Sequence, residues 1–209
     1  MRVLIADDHA LFRRGLKETL SEAFSKVTYG EANTAQETLD CVRRADWELV
    51  ILDISMPGKS GLDVLEDLQR LRPKLPILLL SMHPEEQFAR RALKAGAAGY
   101  LTKDSVPEEL KAAVRRVLNG GRYVSATLAE RLAFDLRTGT ATPLHEQLSD
   151  LEFQVLRMIA SGKTVKEIAE EISLSVKTVS TYRARLLEKT GLKTTAELIR
   201  YALQSQLVD

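Results

Sequence analysis

Five short apolar runs punctuate the first half of the chain: residues 2–6 (RVLIA), 27–32 (VTYGEA), 48–53 (ELVILD), 76–81 (PILLLS) and 98–101 (AGYL). The third and fourth show almost no polar alternation, so both faces of those strands must be buried. A parallel sheet covered by helices on each side does this, and an open hairpin sheet does not. The intervening segments have helical periodicity. Residues 10–24 place Leu11, Phe12, Leu16, Leu20 and Phe24 on one apolar side. Thr34 is positioned to cap a helix through Arg44, and further helices are expected over 61–71, 85–94 and 107–118, the last with Pro107 in its first turn. Five strand-then-helix repeats predict an α/β, flavodoxin-like, doubly wound sheet of five parallel strands.

The ends of these runs carry the chemistry. Asp7 and Asp8 close the first, Asp53 the third and Ser81 the fourth, while Lys103 follows the fifth. In a parallel α/β sheet the carboxyl ends of the strands converge on one crevice. Three carboxylates, a hydroxyl and an ammonium suit a hard divalent cation and a phosphoryl group. Taken singly, each reads as ordinary surface: a strand-end aspartate capping a turn, a solvated serine, a loop lysine. Asp8 also reads as an N-cap for the first helix. Their coincidence outweighs those readings, because adjacent aspartates repel unless a cation is present. After Asp53 the segment ISMPG is expected to turn sharply through Pro57 and Gly58. Phosphatases with an aspartate nucleophile also place it after a strand, but they carry a second acid two residues later, where this chain has Ser55. Such an enzyme would also need a cap insertion, which the segment lengths do not accommodate.

Position by position, these residues resemble the receiver signature of two-component response regulators. The resemblance implies a regulator rather than an enzyme, with Asp53 accepting a phosphoryl group from a sensor histidine kinase. It implies Mg²⁺ held directly by Asp8 and Asp53, by Asp7 through water, and by the Ser55 backbone carbonyl. Ser81 and Lys103 would meet the phosphoryl oxygens, and Tyr100 matches the family's switch aromatic.

Beyond Gly120-Gly121 the pattern changes. Residues 125–137 form a short amphipathic helix by periodicity, and the rest of 122–147 is polar and turn-rich, so 122–147 is expected to be a linker with a mobile middle. Residues 148–209 show no strand signal and four helical stretches. Ser149 with Glu152 makes a capping box for a helix whose stripe is Leu151, Val155, Leu156 and Ile159, ended by Gly162. Thr164–Glu171 is a second helix, Ser173-Leu174 a turn, and Ser175 caps a third that runs to Thr190 and closes at Gly191. A fourth spans Thr194–Gln204. Two short helices joined by a tight turn, the second basic, form a helix-turn-helix pattern. This string resembles the LuxR-type DNA-binding domain. With the receiver (1–121) it is similar to the NarL/FixJ class, nearest the BvgA/EvgA branch.

That resemblance sends the third helix into the major groove of promoter DNA. Its spacing leaves Lys177, Thr178, Ser180, Thr181, Arg183, Ala184 and Arg185 outward and packs Val179, Tyr182, Leu186 and Leu187, with the Tyr182 hydroxyl free to face out. Lys163 and Lys166 could touch phosphates, and Leu198, Ile199, Ala202 and Leu203 could pair two copies. The implied partners are the kinase, promoter DNA, RNA polymerase and a second copy when phosphorylated or DNA-bound. The rival class is a phosphorelay or protein-interaction module whose helix-turn-helix never reads DNA.

Composition adds limits. Lys+Arg number 30 against 29 Asp+Glu in 209 residues, so global charge favours no nucleic acid. Locally, residues 175–193 hold Lys177, Arg183, Arg185, Lys189 and Lys193 against Glu188 alone. Cys41 is the single cysteine and sits in an apolar helical pattern, as a packing residue would. Trp47 reads likewise as packing, and His9, His83 and His145 lack the spacing of metal ligands, so surface or packing roles are expected. No run approaches the roughly 18 apolar residues of a membrane span, and the expected compartment is the cytoplasm.

Overall fold

The computed structural model describes residues 1–56, 61–82, 85–138, 143–172, 174–205 and 207–208. The expected Pro57–Gly58 turn, His83, Ser173 and the linker middle at 139–142 lie outside them. The chain divides into two compact units, Met1–Gly139 and Thr140–Asp209.

In the first unit β1 (Arg2–Ala6), β2 (Thr28–Ala32), β3 (Leu49–Asp53), β4 (Ile77–Ser81) and β5 (Gly99–Thr102) form one sheet in the order β2-β1-β3-β4-β5. All pairs are parallel, and the register sets Ala6 beside Leu52 and Asp53 beside Leu80. Between them run α1 (Ala10–Ala23), α2 (Ala35–Arg44), α3 (Gly61–Leu71), α4 (Glu85–Lys94) and α5 (Val106–Leu118). Val3, Ile5, Leu49, Ile51, Leu78, Leu80 and Leu101 pack with Leu16 and Leu20 of α1 and Leu110, Val114 and Val117 of α5. Leu4, Val50, Leu52 and Leu79 are also fully buried, on the opposite face by strand alternation. Each such side chain contributes about 1.5–3 kcal/mol of transfer free energy, so the apolar character of both faces is what holds this sheet between its helices.

The winding reverses between β1 and β3, the position at which doubly wound sheets open a crevice. Thr34 caps α2 as expected, its hydroxyl accepting from the Glu37 N–H. Asp8 does not cap α1: His9 occupies the N-cap position, and its side chain accepts no bond from the helix backbone. Leu11 is not on the packed side of α1 but 83% exposed. Trp47 packs its ring on the β2 backbone, where a β-carbon at Gly30 would come within 2.3 Å of it.

Two features have no counterpart in the sequence pattern. A single 3₁₀ turn at Lys103–Ser105 joins β5 to α5. Past Gly121, Tyr123 bridges to Gly99 on the edge of the sheet, its N–H bonding Ala98 O at 2.9 Å and its carbonyl accepting from Tyr100 N at 3.2 Å. The expected linker thus begins with residues bonded to the first unit, and α6 (Ala126–Thr138) follows in that unit.

The second unit is helical: α7 (Asp150–Ala160), α8 (Val165–Glu171), α9 (Val176–Thr190) and α10 (Thr195–Gln204), preceded by a 3₁₀ turn at Leu144–Gln147. Ser149–Glu152 forms the expected capping box, and Thr164–Glu167 forms a second. Gly191 ends α9 at φ 70°, a left-handed conformation that costs glycine nothing. Phe153, Leu156, Ile168, Val179, Leu186 and Leu198 are buried. His145 is 9% exposed, packs on the Phe153 ring and lies with Nδ1 2.8 Å from the Tyr201 hydroxyl, which is a packing role.

Candidate functional site

Asp7 directly follows β1 and Asp53 ends β3, and both carboxylates are buried, at 1% and 0% exposure. They can be adjacent because β1 and β3 are neighbours whose ends are level. Lys103 reaches both from the turn after β5: its Nζ donates to Asp53 Oδ2 at 2.8 Å and stands 2.7 Å from Asp7 Oδ2. The contact with Asp7 is an ion pair, and among the described residues Asp7 Oδ2 has no further polar partner. The same ammonium lies 4.8 Å from the Phe12 ring centroid. Asp53 Oδ1 accepts from the Ser55 N–H at 3.1 Å, which fixes the first step of the loop after β3. Gly61 lies so close to that strand end that a β-carbon would meet Asp53 O at 2.5 Å, so the start of α3 can approach only without a side chain.

Two carboxylates against one ammonium leave a buried negative surplus. Burial pushes the Asp53 carboxyl above its ordinary range, and Lys103 only partly reverses this. Burial alone would lower the Lys103 ammonium, but its pairing with Asp53 and Asp7 outweighs this and leaves the group raised. Asp8 is more open, with its side chain 30% exposed and Oδ1 2.7 Å from His9 Nδ1. One ligand atom from each of Asp7, Asp8, His9 and Asp53 falls within 4.8 Å of the others. Ser81 is fully buried at the end of β4, one residue beyond the partner of Asp53, and pairs in register with Thr102. Tyr100 is fully buried on β5. Sequence-expected Asp7, Asp8, Asp53, Ser55, Ser81 and Lys103 therefore share one end of the sheet. Sequence reasoning passed over two neighbours. His9 touches the aspartates, and Arg13, 9% exposed, donates Nη1 to the Asp7 carbonyl at 2.6 Å. Only the buried position of a long cation on α1 could have marked Arg13, and periodicity alone does not distinguish that from a solvated arginine.

In the second unit α9 presents Lys177, Thr181, Arg183 and Arg185 exposed, with Thr178, Ser180 and Tyr182 half-buried. The Arg185 guanidinium lies 5.8 Å from the Tyr182 ring centroid. The Thr181 hydroxyl donates to the Lys177 carbonyl at 3.0 Å, so its proton is already used within the helix. Lys189 is not part of an open basic face: it pairs at 2.7 Å with Glu152, which is 2% exposed. Burial would raise the Glu152 carboxyl, but Lys189 and Ser149 hold it below its ordinary value. Lys166 is exposed, while Lys163 pairs with Glu171 at 2.5 Å.

The expected pairing face narrows. Leu198 and Ala202 are fully buried, and the helix that carries them packs on α7. Ile199 is half-buried and Leu203 is 49% exposed, so they are what α10 leaves outward. An amphipathic helix buries one stripe, and these four residues straddle its edge.

A receiver sheet with an acidic pair, a strand-end aspartate and a buried lysine, together with a separate four-helix unit, defines a class. Comparison with known proteins agrees. Residues 3–115 match the response regulator receiver domain, and residues 146–202 match the bacterial regulatory proteins of the luxR family. The response regulator UvrY of Escherichia coli K12 is 34% identical over 209 residues, spanning 99% of this chain and 95% of its own. The response regulator GacA of Pseudomonas aeruginosa is 34% identical over 210 residues, spanning 100% and 98%. Among solved structures, RcsB of Salmonella typhimurium aligns with a TM-score of 0.60 at 27% identity over 96% of this chain and 97% of its own. The same regulator bound to promoter rprA with the phosphomimetic BeF₃⁻ aligns at 0.62, with 27% identity over 96% and 98%. The chain belongs to the response regulators of two-component systems, in the NarL/FixJ family: a receiver domain followed by a LuxR-type domain, the make-up of a DNA-binding transcriptional regulator. No helix among the described residues is long and apolar enough to cross a membrane.

Proposed function

We propose that Asp53 is the phosphoacceptor and that its modification by a sensor histidine kinase controls promoter binding by α9. The observation that carries the reading is the buried Asp7–Lys103–Asp53 cluster, whose surplus negative charge a divalent cation would neutralise. The donor set is hard oxygen, which suits Mg²⁺. Asp8, Asp53 and the Ser55 carbonyl would hold it directly and Asp7 through water. When bound, Mg²⁺ neutralises charge on the transferring phosphoryl group. An Asp53 carboxylate oxygen then forms the new bond to phosphorus as the donor's P–N bond breaks and its imidazole leaves. Lys103 exchanges part of its pairing with Asp53 for a phosphoryl oxygen, and the Ser81 hydroxyl moves to a second oxygen while Tyr100 repacks.

Residues 1–121 act as receiver, 122–147 as linker and 148–209 as DNA-binding domain, in the cytoplasm. Lys177, Arg183 and Arg185, with Lys163 and Lys166 from the supporting segment, contact phosphates; Thr178, Ser180, Thr181 and Tyr182 approach base edges. Ile199 and Leu203 line the contact between two copies on DNA, where the pair meets RNA polymerase. The family likeness and the promoter complex of RcsB support this reading. The test is labelling by acetyl phosphate or a kinase with Mg²⁺. Wild type should gain a base-labile phosphoryl group and Asp53→Asn none. Full labelling of Asp53→Asn would remove the assignment, and equal retention of a promoter and a scrambled fragment would favour a module that does not read DNA.

A further inference from the structure

Asp7 and Asp8 hang on the short stretch of backbone between the end of β1 and the start of α1, so whatever fixes that backbone fixes both carboxylates. Two bonds do so. The Asp7 N–H donates to Ala32 O on β2 at 3.1 Å, and the Asp7 carbonyl accepts Arg13 Nη1 at 2.6 Å. The Arg13 guanidinium also donates Nε to Glu31 Oε2 at 2.9 Å, and Glu31 Oε1 pairs with Lys17 Nζ at 2.5 Å. Glu31 lies on β2 in register with Ile5 of β1. One planar side chain therefore ties the acidic loop to the neighbouring strand. A lysine has charge but no fork and could not hold carbonyl and carboxylate together in one plane. Arg13 and Lys17 hold the Glu31 carboxyl below its usual range, so the tie is ionic at neutral pH.

We propose that Arg13 is a positioning residue for the divalent cation of the crevice, acting through the Asp7 carbonyl and anchored by Glu31. This rests on the Mg²⁺ reading above. Mg²⁺ accepts only near-octahedral geometry at about 2.0–2.1 Å, so a loosened ligand loop weakens it. Charge and anchoring have opposite signs here. As a cation near the site Arg13 opposes Mg²⁺, so if charge dominated, removing it would tighten binding. As an anchor it favours Mg²⁺, and partners that orient ligands are worth about 10- to 100-fold in metal affinity. Arg13→Lys keeps the charge and loses the fork, which separates the two effects.

The experiment is calorimetric titration of MgCl₂ into the full-length chain without any phosphoryl donor, for wild type, Arg13→Lys, Arg13→Gln and Glu31→Gln. Arg13→Lys and Arg13→Gln should weaken Mg²⁺ by about 10-fold or more, and Glu31→Gln should weaken it less, in the same direction. Phosphorylation of Arg13→Lys should fall at low Mg²⁺ and return to wild-type rate at saturating Mg²⁺. Arg13→Lys with wild-type affinity, Arg13→Gln with tightened affinity, or a rate loss that saturating Mg²⁺ does not rescue would each overturn the proposal. If Arg13→Gln does not fold, Arg13→Lys and Glu31→Gln decide it. A wild-type chain that binds no Mg²⁺ would instead overturn the metal reading itself.

Discussion

Replacing Lys103 by methionine removes the ammonium from between two buried carboxylates while keeping an apolar stem of similar length. Both Asp7 Oδ2 and Asp53 Oδ2 lie within 2.8 Å of that one nitrogen, and the Lys103 side chain is 6% exposed. Each being within 2.8 Å of one nitrogen, the two oxygens then face each other across at most about 5.5 Å, and at an effective dielectric of 20 their repulsion is at least about 3 kcal/mol. Removing one partner of a buried ion pair costs about 3–5 kcal/mol in measured cases, so the two estimates converge on roughly 3 kcal/mol at pH 7. The cost is capped because one aspartate takes up a proton instead of remaining charged. The loss should therefore shrink toward pH 5. The wild-type contribution has the opposite course. A raised lysine stabilises fully below its unfolded value and loses that contribution only in alkali, as the pH rises through the folded value. Trp47 is the sole tryptophan and lies in the first unit, so urea unfolding followed by its fluorescence reports this unit within the whole chain. Mg²⁺ at a hundred times its dissociation constant should restore about 2.7 kcal/mol. Lys103→Met with wild-type stability at pH 7, or a loss that does not change with pH, would refute the charge balance inferred for the crevice.

Glu152 gives a matching test in the second unit. Because its carboxyl is lowered, its stabilisation is present above the unfolded value and disappears as the pH falls through the folded one. Glu152→Gln should cost about 1 kcal/mol at pH 7, discounted because Lys189 is half-exposed, and should flatten the acid limb of stability seen by circular dichroism. Leu186→Ala, in a fully buried position of α9, should destabilise this unit by about 3–5 kcal/mol in the same assay. On DNA, Lys177→Ala and Arg183→Ala should weaken operator and scrambled duplexes alike, each flattening the log–log salt dependence by about 0.9, measured by anisotropy over a salt series.

The strands of the receiver were legible because β3 and β4 are apolar on both faces, a pattern with few solutions. Helix ends were legible where Thr34, Ser149, Ser175 and Gly191 supply local chemistry that works without tertiary context. What escaped depends on tertiary context. Tyr123 joins the sheet edge through backbone bonds, which leave no mark on side-chain type. Leu11 continues an apolar stripe that α1 in fact turns outward, and Leu198 and Ala202 belong to the domain's own core. Arg13 looks like any helical arginine until the Asp7 carbonyl is seen beside it. The acidic crevice itself could be read from residue types at strand ends, since topology alone brings those ends together.

Affinity for an operator duplex, measured by anisotropy on the full chain before and after phosphorylation with Mg²⁺, tests the link between the two units most directly. Wild type should tighten by about tenfold, a coupling of about 1.4 kcal/mol, with two copies per operator in the ultracentrifuge, while Asp53→Asn keeps the unphosphorylated affinity under the same treatment. Equal tightening of wild type and Asp53→Asn, or wild-type affinity unmoved by a phosphoryl group shown to be on Asp53, would contradict control of DNA binding through this aspartate.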